Sequence, residues 1–499
     1  MSSNTRQAAL AMDAGTFRTL GHQLVDQLAD SLAAIPRGPV TRAEAPSVVR
    51  TALDLDGPLP EAGTEPGPLL EKTARLLFDH SLFNGHPRFF GYITASPAPI
   101  GMLGDLLASA VNPNVGSFAL SPAATEIEAQ TVRWISELIG YPTTCGGLLV
   151  SGGNMANFVC FLAARAAKAD WDVREHGISD GRGRRLRVYA SAETHTWIQK
   201  AADLSGLGVT SIRWIPTDAK LRMNVEALRR QLDKDRADGD LPLLVVGTAG
   251  SVSTGAVDPL SHLAALCREY GLWFHVDGAY GGFAAAVPEA PDELRALRDA
   301  DSVAVDPHKW LYAPLEAGCA LVRNPETLRA AFSYHPPYYH FDERAINYVD
   351  YGPQNSRGFR ALKVWLALRH VGAAGYRKMI ADDIRLSRAM AAAVSRHPEL
   401  ELLTQELSIT TFRYTPRDLD GLPEGERERQ VDAINRALLD RLQRGGEVFV
   451  SNAVIGGRYA LRACIVNFHT EVADVEALPD VVARVGRAVC ADVRPTAIR

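Results

Sequence analysis

Residues 272–282 read LWFHVDGAYGG: a mostly apolar run ends at Asp277 and passes into Gly278, Ala279, Gly281 and Gly282. A short, nearly continuous apolar run bounded by small turn residues reads as a strand buried on both faces. Working outward, the same pattern recurs at GLLV (147–150), RVYAS (187–191), LPLLVVG (241–247), SVAVD (302–306) and CALVR (319–323). Helical stretches at 154–170, 195–206, 224–237 and 259–270 lie between them. Strands and helices alternating at this length predict an α/β layer structure with a largely parallel sheet. In such sheets a ligand sits at the carboxyl ends of the strands, where the chain order leaves a crevice.

The flanks read differently. Residues 1–35 form an amphipathic pattern, with Phe17, Leu20, Leu24, Leu28 and Leu32 at helical spacing. The stretch from Pro36 to Pro68 is rich in Pro and Gly and reads as an extended connector, followed by a helix over about 69–83 and the turn-rich HPRFFGY (86–92). This arm, residues 1–97, holds too little core to stand alone and is expected to pack on a second subunit. Residues 98–372 form the expected large domain. After them a helix (373–397), ELLTQELSITTFRY, another helix (430–443) and YALRACIVNF predict a small α+β domain over 373–499.

Composition narrows the function classes. At 499 residues the chain exceeds a single core, and 46% hydrophobic with 22% charged residues is ordinary for a globular protein. A formal net charge of −5, without a long block of like charge, argues against nucleic acid as a partner. No apolar run reaches the roughly 20 residues of a membrane span, and the N-terminus lacks a signal-peptide pattern. Six scattered cysteines without a CxxC pair fit reduced thiols, so the expectation is a cytoplasmic protein without a structural metal. His335 and His340 bracket Pro-Pro-Tyr-Tyr, but nothing completes a metal site around them. GxxxxGK[ST], GxSxG, HExxH and a GxGxxG following a strand are all absent.

Four segments could carry chemistry. In DSVAVDPHKWL (301–311) a strand ends at Asp306, and Lys309 follows beside Trp310, a setting whose desolvation favours the neutral amine that Schiff-base formation needs. Asp277, at the end of a buried strand, needs a cationic partner; a protonated pyridine nitrogen would serve, and the small Ala279 would leave room for a flat ring. GLLVSGGNMANF (147–158) is a strand, a glycine pair and a helix start, whose backbone N–H groups suit a phosphate. His195, in YASAETHTWIQKAA (189–202), stands at a strand-to-helix junction where an imidazole could stack on an aromatic ring. Taken singly, each has an ordinary reading as well: a surface lysine, a structural Asp, a tight turn, a capping histidine.

In order, these segments resemble the group II pyridoxal-5′-phosphate (PLP) decarboxylases of fold type I, the aspartate aminotransferase-like fold. The resemblance runs from HPRFFGY (86–92) to YALRACIVNF (459–468). It includes LSPAATEIE (120–128), SGGNMAN (151–157), GAVDP (255–259), HVDGAYGG (275–282), DPHKWL (306–311) and RGFRALKVWLALR (357–369). It implies PLP as cofactor, with Lys309 as the Schiff-base lysine, Asp277 on the pyridinium nitrogen, His195 stacked on one ring face and Ala279 against the other. It further implies phosphate binding by Gly153, Asn154 and Met155 with His308 and Ser251, and by Ser356 toward the neighbouring subunit's cofactor in a homodimer. One departure is AGSV (249–252) where many members have AGTT, so Val252 replaces a hydroxyl.

The reaction implied is decarboxylation of an L-amino acid to its amine and CO2 through a quinonoid, protonated by a tyrosine on a loop after the lysine. In LRAAFSYHPPYYHF (328–341) that tyrosine aligns as Tyr338, with Tyr339 one register away. Relatives that oxidise the intermediate to an aldehyde typically replace this tyrosine or the stacking histidine, and both are kept. The alternatives are such an oxidative deaminase, another PLP reaction class such as transamination or C–S cleavage, and a catalytically silent homologue. The stretch that would line the substrate pocket includes Phe90, Tyr92, Ile93, Phe118, Ala119 and Trp197. With no arginine evident for a side-chain carboxylate, an aromatic amino acid is the expected substrate class.

Overall fold

The computed structural model describes residues 8–181, 183–335 and 345–493. The chain begins with α1 (Ala14–Ala34), whose first turn is capped by Asp13: its carboxylate accepts the backbone N–H groups of Gly15 and Thr16 at 2.8 and 3.0 Å. The connector is not extended throughout, because α2 (Pro46–Leu53) forms inside it and α3 (Pro66–Asp79) follows. Both helices begin with a proline, a residue that breaks a helix interior but is tolerated in the first turn, where its missing N–H has no partner to lose. Two further helices, α4 (Pro99–Val111) and α5 (Pro122–Ile139), lead into the main sheet.

That sheet is built from β1 (Gly146–Val150), β2 (Leu186–Ser191), β3 (Ile212–Ile215), β4 (Leu241–Thr248), β5 (Trp273–Asp277), β6 (Ser302–Val305) and β7 (Gly318–Val322). Its seven strands lie in the order β1-β7-β6-β5-β4-β2-β3. Only β7 runs antiparallel, between β1 and β6, so the sheet is mostly parallel. The helices between the strands are α6 (Gly153–Lys168), α7 (Trp197–Leu204), α8 (Val225–Ala237) and α9 (Leu260–Tyr270), and α10 (Pro325–Phe332) follows β7. Every residue of β1, β2, β5, β6 and β7 is buried, as expected of strands covered on both faces. The short edge strand β3 was not anticipated from sequence; its IRWI is only partly buried and too brief to show a period.

A continuous helical stretch, α11 (Ala361–Arg396), connects the two sheets, interrupted at Gly372, where φ is +69°. Only a residue without Cβ adopts that conformation readily, and the helix restarts beyond it. The second sheet is antiparallel, in the order β10-β11-β9-β8, from β8 (Leu400–Glu406), β9 (Ile409–Tyr414), β10 (Ser451–Ile455) and β11 (Arg458–Cys464). It packs with α12 (Glu424–Gly445) and α13 (Val472–Val493) around its own core of Phe412, Leu438, Leu461, Leu478 and neighbours. HPRFFGY threads between the two bodies. Phe90 N–H donates to the Phe449 carbonyl at 2.7 Å, and Cys464 N–H donates to the Phe90 carbonyl at 2.9 Å, which delivers Tyr92 and Ile93 to the crevice between the sheets.

Candidate active site

The parallel strands end together. Register pairs Thr248 of β4 with Asp277 of β5, and Asp277 with Ala304 of β6, so the carboxyl ends of three adjacent strands form one rim. His195 follows β2, the Gly152-Gly153 turn follows β1, and Asp306 to Lys309 follow β6. A cavity of about 420 Å³ opens on this rim, and its walls include Lys309, Asp277, His195, Ala279, Gly153 and His308. The crevice expected at the strand ends therefore holds most of the residues picked from the sequence.

Lys309 Nζ lies 3.0 Å from Asp306 Oδ2, an ion pair within a nearly closed setting. The other Asp306 oxygen, Oδ1, is buried without a hydrogen-bond partner among the described residues. Asp277 is buried, and its Oδ2 accepts the indole Nε1–H of Trp197 at 2.7 Å while Oδ1 accepts the Ala279 N–H at 3.1 Å. Trp197 is in turn set edge-on against His275, with ring centroids 5.6 Å apart. His275 bonds the Ser302 hydroxyl at 2.8 Å and the Asn157 amide oxygen at 2.7 Å, and burial pushes its pKa down to about 4, which keeps it neutral. Burial likewise holds His195 and His308 below the usual histidine range, so both rings face the cavity uncharged at neutral pH.

The turn after β1 has no room for side chains. A Cβ on Gly153 would sit 2.6 Å from Asp306 Oδ2 and 2.9 Å from Ala279 Cβ, and Gly152 takes φ +118°. This glycine pair opens α6, whose Met155 and Ala156 N–H groups donate to the Gly152 carbonyl, and Gly153 and Asn154 of its first turn lie at the cavity wall. An amine, an isolated buried carboxylate, a flanking small residue, a neutral imidazole and an anion-binding helix start share one cavity. That donor set fits PLP.

Some expected residues fall elsewhere. Trp197 does not line the cavity: it is 1% exposed and stands behind Asp277, in the core between α6 and β5. Met155 packs its side chain into that core, leaving only its backbone at the turn. Ser251 is buried in its own turn, its hydroxyl 3.0 Å from the Thr254 hydroxyl, whereas Val252 and Ser253 reach the wall. Phe90 is buried in the core of the small body, Phe118 is half-buried away from the cavity, and Ala119 and Ser356 are exposed. Tyr92 and Ile93 do line the wall, Tyr92 at φ +50°. Tyr338 and Tyr339 lie outside the described residues.

Other wall residues were not anticipated: Thr94, Asn157, Thr248, Ser451, Asn452 and Arg462. Arg462, on β11, is 3% exposed; Nη1 donates to the Tyr92 carbonyl and to Ser451 Oγ, while Nε and Nη2 are buried without partners among the described residues. The Thr94 hydroxyl is buried and, among the described residues, also unpaired. The lack of an evident arginine in the sequence is thus corrected: the guanidinium comes from the far end of the chain.

The pyridoxal-dependent decarboxylase conserved domain matches residues 54–415, most of the chain, and the chain belongs to that family. Its cofactor is PLP, and its enzyme class is the PLP-dependent amino acid decarboxylases. Over 466 residues it is 33% identical to an aromatic-L-amino-acid decarboxylase of Bacillus atrophaeus, covering 92% of this chain and 93% of that one. A phenylacetaldehyde synthase of Petunia hybrida is 31% identical, with 91% of each chain covered. Among solved structures, Oryza sativa TDC with PLP and tryptamine superposes with a TM-score of 0.88 at 27% identity, covering 97% of this chain and 99% of that one. Mouse CSAD gives 0.89 at 26% identity, covering 95% and 99%.

Proposed function

We propose that this enzyme decarboxylates an aromatic L-amino acid to its amine, with Lys309 carrying the cofactor and Asp277 on the ring nitrogen. The observation that carries the assignment of roles is the convergence of Lys309, Asp277, His195 and the Gly153 turn on one cavity. The aromatic class is supported by relatives such as the aromatic-L-amino-acid decarboxylase of Bacillus atrophaeus and tyrosine decarboxylase 3 of Petroselinum crispum, 30% identical.

PLP, when bound, supplies the conjugated cationic ring that takes up the electron pair left as the α-carboxylate departs as CO2. The chain supplies placement and charge. Asp277, fixed by the Trp197 and Ala279 N–H groups, would keep a proton on the ring nitrogen, and neutral His195 would cover one ring face opposite Ala279. The first turn of α6, through Gly153, Asn154 and the Met155 backbone, would hold the phosphate, with His308 beside it. Lys309 Nζ would hold the cofactor between turnovers, and its amine would be free to yield that place to the substrate amine. Tyr338 Oη would deliver the proton to the α-carbon. The free N–H groups of Arg462 suit a substrate carboxylate.

We read the domains as 1–97, 98–372 and 373–499, and the working unit as a homodimer in a reducing cytoplasm. Leu103, Leu106, Leu107 and Val111 form an exposed apolar stripe on α4, which a second copy would cover. Ser356 and Phe118, both outside the cavity of their own chain, would serve the partner's site. Sedimentation equilibrium returning a monomer would overturn the dimer.

The function is tested by incubating the PLP-loaded enzyme with a panel of L-amino acids, measuring CO2, amine, aldehyde and oxygen. The panel includes acidic substrates, because Arg462 could take a second carboxylate. CO2 and amine in equal amounts from an aromatic substrate, without oxygen uptake, is the expected result. Aldehyde with oxygen uptake would instead make it an oxidative, aldehyde-forming enzyme.

A further inference from the structure

Three residues beyond Lys309 the chain adopts a conformation it would not choose freely: Tyr312 stands at φ +52°, uncommon for a bulky residue. Both aromatic side chains of this segment, Trp310 and Tyr312, are buried, and both point their polar atoms at one carboxylate. Trp310 Nε1–H donates to Asp383 Oδ2 at 2.9 Å, and the Tyr312 hydroxyl donates to the same oxygen at 2.7 Å. Asp383 lies on α11 beyond the Gly372 break, and Tyr376 of the same helix donates its hydroxyl to the Leu311 carbonyl at 3.1 Å. Trp310 also stacks on Tyr280, centroids 4.9 Å apart, and Tyr280 lines the cavity beside Lys309.

Asp383 is 2% exposed and, among the described residues, takes part in no ion pair. A carboxylate buried without a cation is costly, and a residue of that kind needs a compensating role. Among the described residues its side-chain donors both come from the segment that follows Lys309, and the Asn467 backbone N–H adds a third bond.

We propose that Asp383 is a positioning residue for Lys309: its two hydrogen bonds fix the 309–313 segment, so that the placement of the lysine amine is set from α11. The inference rests on the reading of Lys309 as the cofactor-holding residue. Burial pushes Asp383 up to about 7, so its charge changes within the working range of pH. The charged groups around it are Asp382 and Arg385 on its own helix and Glu471 on the loop before α13; the titratable neutral groups are the Tyr312 phenol bonded to it and the Cys464 thiol of β11. Lys309 is outside that shell, and the segment between them carries the effect.

The test compares wild type with Asp383→Asn, Asp383→Leu and Tyr312→Phe as full-length, PLP-reconstituted enzymes. A misplaced reactive group costs on the order of 10- to 100-fold in rate, so Asp383→Leu is expected to lose that much in kcat, with KM within about threefold. Asp383→Asn is expected to lose less and to flatten the limb of the kcat–pH profile near neutrality. In cofactor-free protein, amide hydrogen exchange over 309–313 should rise in each variant, which reads the segment without the reaction. Should Asp383→Leu not fold, Asp383→Asn and Tyr312→Phe decide the question. Wild-type kcat, pH profile and exchange in those two variants would overturn the proposal. Lys309→Ala separates the underlying reading: a covalent protein–PLP adduct trapped there by borohydride in the absence of substrate would refute the role of Lys309 itself, whatever the Asp383 variants do.

Discussion

Gly153→Ala is the sharpest probe of the cofactor cradle. The added Cβ would lie 2.6 Å from Asp306 Oδ2, 3.1 Å from Asp306 Cγ and 2.9 Å from Ala279 Cβ. None of these atoms belongs to a flexible side-chain end. Ala279 Cβ is fixed to its backbone, and Asp306 is buried and paired with Lys309 at 3.0 Å. Relief therefore requires moving the turn, shifting Ala279 or breaking the Asp306–Lys309 pair. Overpacking of this kind costs about 1–3 kcal/mol. Since each of those adjustments alters the cavity wall, most of the cost should fall on cofactor binding, a loss of about 5- to 150-fold in affinity. Titration of cofactor-free protein with PLP, followed by absorbance, measures it. Gly21→Ala on α1 is the control: its Cβ meets nothing within 4 Å, so affinity should stay at the wild-type value. Gly153→Ala binding within twofold of wild type would refute the cradle at the α6 start.

Trp197→Phe removes the 2.7 Å hydrogen bond to Asp277 while keeping a ring in the core; bonds to charged groups are worth about 1.5–3 kcal/mol, so PLP affinity should fall by roughly tenfold or more. Equal affinity in the same titration would show that Asp277 needs no orienting donor. His275, held neutral down to about 4, should make the protein acid-sensitive. Its folded pKa lies below the unfolded value near 6.5, so its stabilisation is complete above 6.5 and is lost as pH falls toward 4. By pH 5 the loss reaches about 2 kcal/mol, and His275→Gln should show a correspondingly shallower decline in urea unfolding of the cofactor-free protein between pH 7 and 5. Parallel declines in the two proteins would count against that assignment.

What the sequence showed and what it hid follow from the range of the interactions. The large-domain strands were legible because each is a short apolar run covered on both faces, and Lys309, Asp277, His195 and Gly153 were legible because each stands directly after such a run. Trp197 was misread for a local reason. It lies two positions from His195, but His195 stands in the turn before α7 whereas Trp197 is the first residue of that helix. The same chain therefore turns His195 to the cavity and the indole to the rear of Asp277. Arg462 had no local signal, since its position in YALRACIVNF matters only once β11 is folded against the crevice, some 150 residues after Lys309 in the chain. The prolines of the connector were read as breakers, yet Pro46 and Pro66 open helices.

These misses share a direction. Apart from Tyr92 and Ile93, the wall residues that sequence reading found stand at the strand ends of the large sheet; of those it did not find, Asn157 and Thr248 belong to that body and the others come from outside it. Arg462, Ser451 and Asn452 come from the antiparallel sheet, and Thr94 from the passage that follows HPRFFGY, pinned between the two bodies. Asp383 grips the segment after Lys309 from the helix that joins them. The large sheet thus supplies the fixed charges, an amine and a carboxylate at adjacent strand ends, while the small body supplies a guanidinium and holds the lysine segment in place. A cavity assembled in this way depends on how the two cores are seated. Substitutions in the core around Phe412 and Leu461, far from any reacting atom, should therefore be felt at Arg462, which lies on the same strand as Leu461 with its guanidinium bonded across to the Tyr92 carbonyl.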